Sequence, residues 1–244
     1  MINPRDIKVL IAEDEPDLRD LLAAKFRVFG FNVMTAHSGN MAWDKVLENS
    51  GVQIVVTDIR MPNGSGYELL QKCKQKDSEF PRVFLISGFT DYTVQELMAL
   101  GSEGFISKPF DTKDLLNIVR KSLLNTSDRW RAQNADTPEF KLELEFPSLE
   151  KSTQNGYLLF GRGGFSAKIK TTLPDTNTLI QFHLNANPWT LQGTGIIRWK
   201  SPSDLLQPSE YVGLEIVSLD GPSSTELIEW LETQKPKAFI PSPL

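Results

Sequence analysis

The chain has 244 residues, 40% of them apolar and 23% charged, with a formal net charge of −5, enough for two soluble domains of ordinary size. Neither half is basic and no Lys/Arg run occurs, which counts against a nucleic-acid binder, because phosphate neutralisation supplies much of that affinity. A single cysteine, Cys73, excludes an intrachain disulfide and fits a reducing compartment. No apolar run approaches membrane-spanning length, which argues against membrane insertion, and Met1-Ile2-Asn3-Pro4-Arg5-Asp6 lacks the apolar core of a secretion signal. The expected location is therefore the cytoplasm.

In chain order, Lys8–Ala12 reads as a buried strand that runs into three acids, Glu13-Asp14-Glu15. Pro16 suits the first turn of a helix, with Leu18, Leu21, Leu22, Lys25 and Phe26 as its inward stripe, and Gly30 closes it. Residues 31–36 are a short strand, and Ser38 caps a helix with Ala42, Val46 and Leu47 inward. Ile54-Val55-Val56-Thr57-Asp58 is a continuous apolar run ending in a carboxylate, as expected of a strand buried on both faces of a parallel sheet. Pro62, Gly64 and Gly66 then break the chain into a loop. A helix over 67–76 turns Leu69 and Leu70 inward and carries Cys73 as a residue without chemistry. A strand at 82–86 ends at Ser87-Gly88, a helix covers 93–100, and the strand Gly104–Ser107 ends at Lys108-Pro109-Phe110. A last helix over 111–124 has Leu115, Leu116, Val119 and Leu123 on one face. Strands alternating with helices predict an α/β doubly wound, five-stranded parallel sheet.

Strand ends of such a sheet gather at one crevice, and four of them here carry polar groups: Glu13 with Asp14, Asp58, Ser87 and Lys108. Three carboxylates in one crevice repel unless a cation lies among them. Hard oxygen donors of this kind suit Mg²⁺. A carboxylate can act as a nucleophile toward phosphorus, with a lysine and a hydroxyl holding the phosphoryl oxygens.

Residues 6–124 resemble the receiver domain of two-component response regulators, a flavodoxin-like fold. The matching residues are Glu13-Asp14, Asp58 in Asp-x-x-Met-Pro with Gly64 and Gly66 after it, Ser87, and Lys108-Pro109-Phe110. The resemblance implies that Asp58 is the phosphoacceptor from a sensor histidine kinase or phosphotransfer protein. It implies that Asp14, Asp58 and the Arg60 carbonyl bind Mg²⁺, with Glu13 acting through water. Ser87 and Lys108 would contact the phosphoryl group, Phe105 would be the switch aromatic, and Lys108–Pro109 would be a cis bond. Drawing Ser87 inward would free space for Phe105, and the face made by 93–100, 104–107 and 111–124 would then change partners.

A polar linker is expected at 125–137, with the preceding helix able to run on to Trp130. From Glu139 the apolar period changes to two, with Phe140, Leu142, Leu144 and Phe146 alternating with charge. Further strands are expected at 157–160, 165–169, 179–184, 191–199 and 211–217. Ser223-x-x-Glu226 reads as a capping box opening a helix with Leu227, Ile228 and Leu231 inward. These elements predict a mainly antiparallel small β-barrel with a C-terminal helix at 138–235, followed by a loose tail at 236–244. His183 reads as a strand residue, Glu143, Glu145 and Glu215 as solvent-facing acids, and Gly161-Arg162-Gly163-Gly164 as a tight hairpin turn. No Cys/His metal set occurs in the sequence.

The strand order and these glycines resemble a PilZ domain, a family that binds cyclic di-GMP through Asp/Asn-x-Ser-x-Gly-Gly and an upstream Arg-x-x-x-Arg. Here the first motif reads Leu159-Phe160-Gly161-Arg162-Gly163-Gly164, and only Arg129-x-Arg131 stands upstream. The acid or amide and the hydroxyl are gone. The expectation is a non-enzymatic signalling protein whose receiver controls a PilZ-like module acting through protein contacts, with Phe160, Phe165 or Trp189 as exposed anchors. The alternative is an effector that integrates phosphorylation with cyclic di-GMP binding, supported by Arg129, Arg131 and Arg162. The output partner and the oligomeric state, a homodimer included, are left open.

Overall fold

The computed structural model describes residues 3–88, 92–131, 138–201 and 210–243. The chain divides into two compact units, one of Met1–Thr93 with Leu100–Leu124 and one of Val94–Ala99 with Asn125–Leu244. Residues 132–137, the end of the expected linker, lie outside the described residues, as do the first two residues and the last.

Along the first part of the chain the strands are β1 (Lys8–Ala12), β2 (Asn32–Ala36), β3 (Val52–Asp58), β4 (Arg82–Ser87) and β5 (Gly104–Ser107). The helices are α1 (Pro16–Val28), α2 (Gly39–Glu48), α3 (Gly66–Lys76), α4 (Val94–Leu100) and α5 (Thr112–Ser122). All strands are parallel, in the order β2-β1-β3-β4-β5. Consecutive residues of a strand face opposite sides, and the apolar runs of β1, β3 and β4 bury both. Val9, Ile11, Ile54, Val56, Phe84 and Ile86 form one core with Phe26 of α1 and Leu115, Leu116 and Val119 of α5. The expected doubly wound parallel sheet is present.

The helix stripes are narrower than expected. Leu21 is 49% exposed, Leu47 is 51% exposed and Lys25 is exposed, while Leu22, Ala23, Phe26, Ala42 and Val46 are buried. Adjacent helical residues point about 100° apart, and α1 turns Leu22, Ala23 and Phe26 inward, which leaves Leu21 at the edge of the buried stripe. Ser38 and Asp111 cap their helices through side-chain acceptors, and Ser65 with Glu68 forms a full capping box on α3.

Where a polar linker was expected, Asn125 caps a short helix, α6 (Thr126–Trp130), and Trp130 is buried in the core of the second unit. That unit continues through β6 (Phe140–Phe146), α7 (Leu149–Gln154), β7 (Leu158–Phe160), β8 (Gly164–Ile169), β9 (Leu179–Ala186), β10 (Trp189–Lys200), β11 (Glu210–Asp220) and α8 (Ser224–Gln234). The six strands form one sheet in the order β6-β9-β10-β11-β8-β7. β6 runs parallel to β9, whereas the other pairs are antiparallel. The expected barrel is therefore a curled mixed sheet. Among the described residues its end strands β6 and β7 do not pair, and a groove of about 630 Å³ lies along Leu144, Phe146, Tyr157, Lys168 and Ile169.

Other details of this unit depart from expectation. α7, capped by Ser148, is too short for a periodic signal. The Ser223 box does not form, because Ser223 Oγ accepts from the Thr190 N–H at 3.2 Å instead of capping α8. Glu215 does not face solvent but pairs with Arg198 at 2.6 Å. Phe160, Phe165 and Trp189 are buried and are not surface anchors. Phe160, Trp189 and Trp230 pack edge to face with centroids 5.5–6.2 Å apart, an arrangement that ring quadrupoles favour. The proline-rich tail, expected to be loose, buries Phe239 and Ile240. No helix among the described residues is long and apolar enough to cross a membrane.

Candidate functional site

Parallel strands bring their carboxyl ends to one edge, where β1, β3, β4 and β5 deliver Glu13 with Asp14, Asp58, Ser87 and Lys108. One carboxylate oxygen from each of Glu13, Asp14 and Asp58 lies within 4.8 Å of the others. Glu13 is 2% exposed and Asp58 7%, whereas Asp14 is open to solvent. The Lys108 ammonium bridges two of the acids, donating to Glu13 Oε2 at 3.0 Å and to Asp58 Oδ2. Three carboxylates and one ammonium leave an excess negative charge that a divalent cation would neutralise, and all three acids are hard oxygen donors.

Local backbone geometry holds these groups in place. The Arg60 N–H donates to Asp58 Oδ1 at 2.9 Å, and the Ile59 N–H to the Ile86 carbonyl at 3.0 Å. Gly64 has φ +102, which a side chain would resist, and a Cβ on Gly66 would lie 2.1 Å from the Asp58 carbonyl oxygen. Only glycine lets the loop after Asp58 fold this closely against it. The Lys108 N–H donates to the Ser87 carbonyl at 2.9 Å, tying β5 to β4 at the site, and the Lys108–Pro109 peptide is cis, as expected.

The electrostatics follow from burial and pairing. Burial pushes the Glu13 carboxyl above its ordinary value, and the Asp58 charge adds to that, while the hydrogen bond and charge of Lys108 oppose it. Burial also disfavours the Lys108 charge, but its hydrogen bonds and Coulomb attraction to Asp58 and Glu13 outweigh that, so the ammonium is held above its usual value. The site therefore keeps a fixed cation beside the Asp58 carboxylate.

The structure brings Glu13, Asp14, Asp58 and Lys108 together, with buried Ser87 at the adjoining strand end. Phe105 is half-buried on β5, paired in register with Leu85. Two residues escaped sequence reading. Thr57 is buried and donates through Oγ1 to the Asp58 carbonyl at 2.9 Å. Arg19 donates to the carbonyls of Glu13 (2.9 Å) and Asp14 (3.3 Å), clamping the acidic pair. Leu159, Gly161, Arg162, Gly163 and Gly164 belong to the second unit, at the β7–β8 hairpin, and His183 Nδ1 lies 3.0 Å from Glu143 Oε2 on the neighbouring strand.

A chain from Staphylococcus aureus named response regulator SaeR is 28% identical over 150 residues, 61% of this chain and 64% of that one. The chain thus spans under two thirds of the length of these curated relatives. Among solved structures, a CheX-CheY-BeF3-Mg complex from Borrelia burgdorferi matches at 29% identity over 50% of this chain and 99% of that one, with TM-score 0.46. TrrA of Thermotoga maritima, solved with Mg-BeF, matches at 25% identity over 48% of this chain and 99% of that one, with TM-score 0.44. The family model described as response regulator receiver domain matches residues 9–120. That span contains every member of the acid–lysine cluster, so residues 9–120 are a response regulator receiver domain.

Proposed function

We propose that this chain is a two-component response regulator in which Asp58 accepts a phosphoryl group from a histidine kinase or phosphotransfer protein. The observation that carries the reading is the trio of carboxylates within 4.8 Å, with Lys108 bridging Glu13 and Asp58. An Asp58 carboxylate oxygen forms the new bond to phosphorus while the bond from phosphorus to the donor's histidine nitrogen breaks, and the electron pair leaves with that nitrogen. Lys108 holds charge beside the transferred group, and Ser87 offers a hydroxyl to a phosphoryl oxygen. Glu13, Asp14, Asp58 and the Arg60 carbonyl would hold Mg²⁺, which when bound neutralises charge developing on the phosphoryl oxygens. The same phosphoryl group would draw Ser87 toward it and let Phe105 repack, a two-state change.

In this reading the chain catalyses only its own phosphoryl transfer and hydrolysis. Its second unit, PilZ-like in strand content and glycine placement, acts by protein contact without cyclic di-GMP. Loss of the acid and hydroxyl at Leu159 and Gly161 supports that, since a buried polar group left without its partner costs about 1–3 kcal/mol. Incubation with a small phosphodonor and Mg²⁺ is expected to add one phosphate to the wild type and none to Asp58→Asn. Equal labelling of the two proteins would refute the assignment, and calorimetric binding of cyclic di-GMP in the low micromolar range would favour the integrating effector.

A further inference from the structure

The glycines of the β7–β8 hairpin have a second physical explanation. None of Gly161, Gly163 and Gly164 has a positive φ, so the turn itself does not demand glycine. Space does. A Cβ on Gly163 would stand 2.1 Å from the Phe239 ring, and one on Gly161 would stand 2.5 Å from the Phe239 carbonyl oxygen. Gly164 is accounted for separately by the neighbouring strand, whose Leu214 carbonyl oxygen would be 1.8 Å from a Cβ. Two glycines are therefore needed because the C-terminal segment lies against them.

That segment is held as a ligand is held. After α8, Lys235 adopts a left-handed conformation with φ +45, and the chain returns toward the hairpin. The N–H groups of Arg162 and Gly163 donate to the carbonyls of Ala238 (3.0 Å) and Phe239 (2.9 Å). The Arg162 side chain donates to the Lys237 carbonyl from Nε (3.3 Å) and Nη2 (3.2 Å), and its guanidinium stands 5.9 Å from the Phe239 ring centroid. Phe239 is 3% exposed, in an apolar cluster with Trp199 and Ile240. Donors aimed at the backbone carbonyls of a bent segment outside any helix or strand, with a pocket for one side chain, are the physics of peptide recognition.

We propose that the Gly161–Gly164 turn is a peptide-binding site whose resident ligand is the chain's own C-terminal segment, residues 237–240. The ligand class is a short peptide with an aromatic residue at the Phe239 position, followed by the apolar Ile240 and by Pro241. While the segment is seated, the donors are taken and the site is closed to other ligands. This inference does not depend on phosphorylation of Asp58.

A tethered ligand competes at an effective concentration of about millimolar. A synthetic peptide of residues 235–243 is therefore expected to bind a chain ending at Gln234 saturably and with one-to-one stoichiometry in calorimetry. It should bind the full chain at least about tenfold more weakly, and a Phe239→Ala peptide should not bind. In the full chain, Phe239→Ala should speed amide exchange at Arg162 and Gly163 by about tenfold or more, the factor for each 1.4 kcal/mol lost. Ile216, whose N–H bonds the Gly163 carbonyl on the other side of the turn, should keep its protection. This second measurement stands if the shortened chain does not fold. A folded shortened chain that ignores the peptide, or unchanged exchange at Arg162 and Gly163, overturns the proposal. So does a shortened chain whose turn binds inorganic phosphate or cyclic di-GMP in place of the peptide.

Discussion

At the scale of single residues, Asp14 is the most informative position in the acid cluster. It is exposed, so its removal costs the fold little, yet its oxygen lies within 4.8 Å of those of Glu13 and Asp58. A ligand that binds only the folded state raises stability by RT ln(1 + [L]/Kd). Mg²⁺ is therefore expected to raise the melting temperature of the wild type saturably, and Asp14→Ala should lose most of that rise in the same scan. An identical Mg²⁺ response in the variant would remove Asp14 from the site. Cys73 is the opposite case, fully buried, with burial pushing its thiol up to about 12 from 9.0. The thiolate is the reactive form, so alkylation at pH 8 should proceed only as fast as the protein opens. The folded pKa lies above the unfolded one, so this stabilisation is fully present below about 9 and is lost as pH rises toward about 12. Urea midpoints should fall across that window, and less steeply in Cys73→Ala. Rapid labelling of the native thiol would contradict the burial.

At the scale of elements, a buried lysine and the Asp77 carboxylate, which accepts from the Glu79 and Phe80 N–H groups, hold the connection from α3 to β4. Lys74 is 2% exposed, and its ammonium donates to the carbonyls of Ser78 (3.3 Å), Glu79 (3.3 Å) and Pro81 (2.9 Å). Lys74→Met keeps the length but leaves those carbonyls short of a donor. Hydrogen bonds to a charged group are worth about 1.5–3 kcal/mol, so a loss of about that size is expected in urea unfolding. A change within about 0.5 kcal/mol, typical of surface positions, would show that water replaces the ammonium. Nothing in Lys72-x-Lys74-x-Lys76 marks the middle lysine as buried, because in sequence all three look like a solvated last turn. α7 and the failed Ser223 cap were invisible for related reasons. A six-residue helix has no period to read, and a serine at a helix start has its hydroxyl drawn off by Thr190 from a distant strand.

At the scale of the whole molecule, the acid–lysine site is confined to residues 13–108, and its cluster closes within the first part of the chain. A fragment of residues 1–124 is therefore expected to take up phosphate at Asp58 with Mg²⁺ as the full chain does, measured by intact mass against a small phosphodonor. Loss of labelling in a folded fragment would show that the rest of the chain completes the site. The sequence by itself determined the parallel sheet, because β-branched runs such as Ile54–Val56, bounded by turn residues and alternating with helical patterns, fit strands buried on both faces. It determined the acids and Lys108 as one site as well, because strand direction sends all their ends to one edge. Both are local patterns multiplied by a simple topological rule. Tertiary structure alone decided which face of α1 is buried, where the second sheet stays open, and why Gly161 and Gly163 are glycines. Those outcomes depend on contacts between residues far apart in the chain, Gly163 with Phe239 above all, and no spacing along the sequence encodes such an approach.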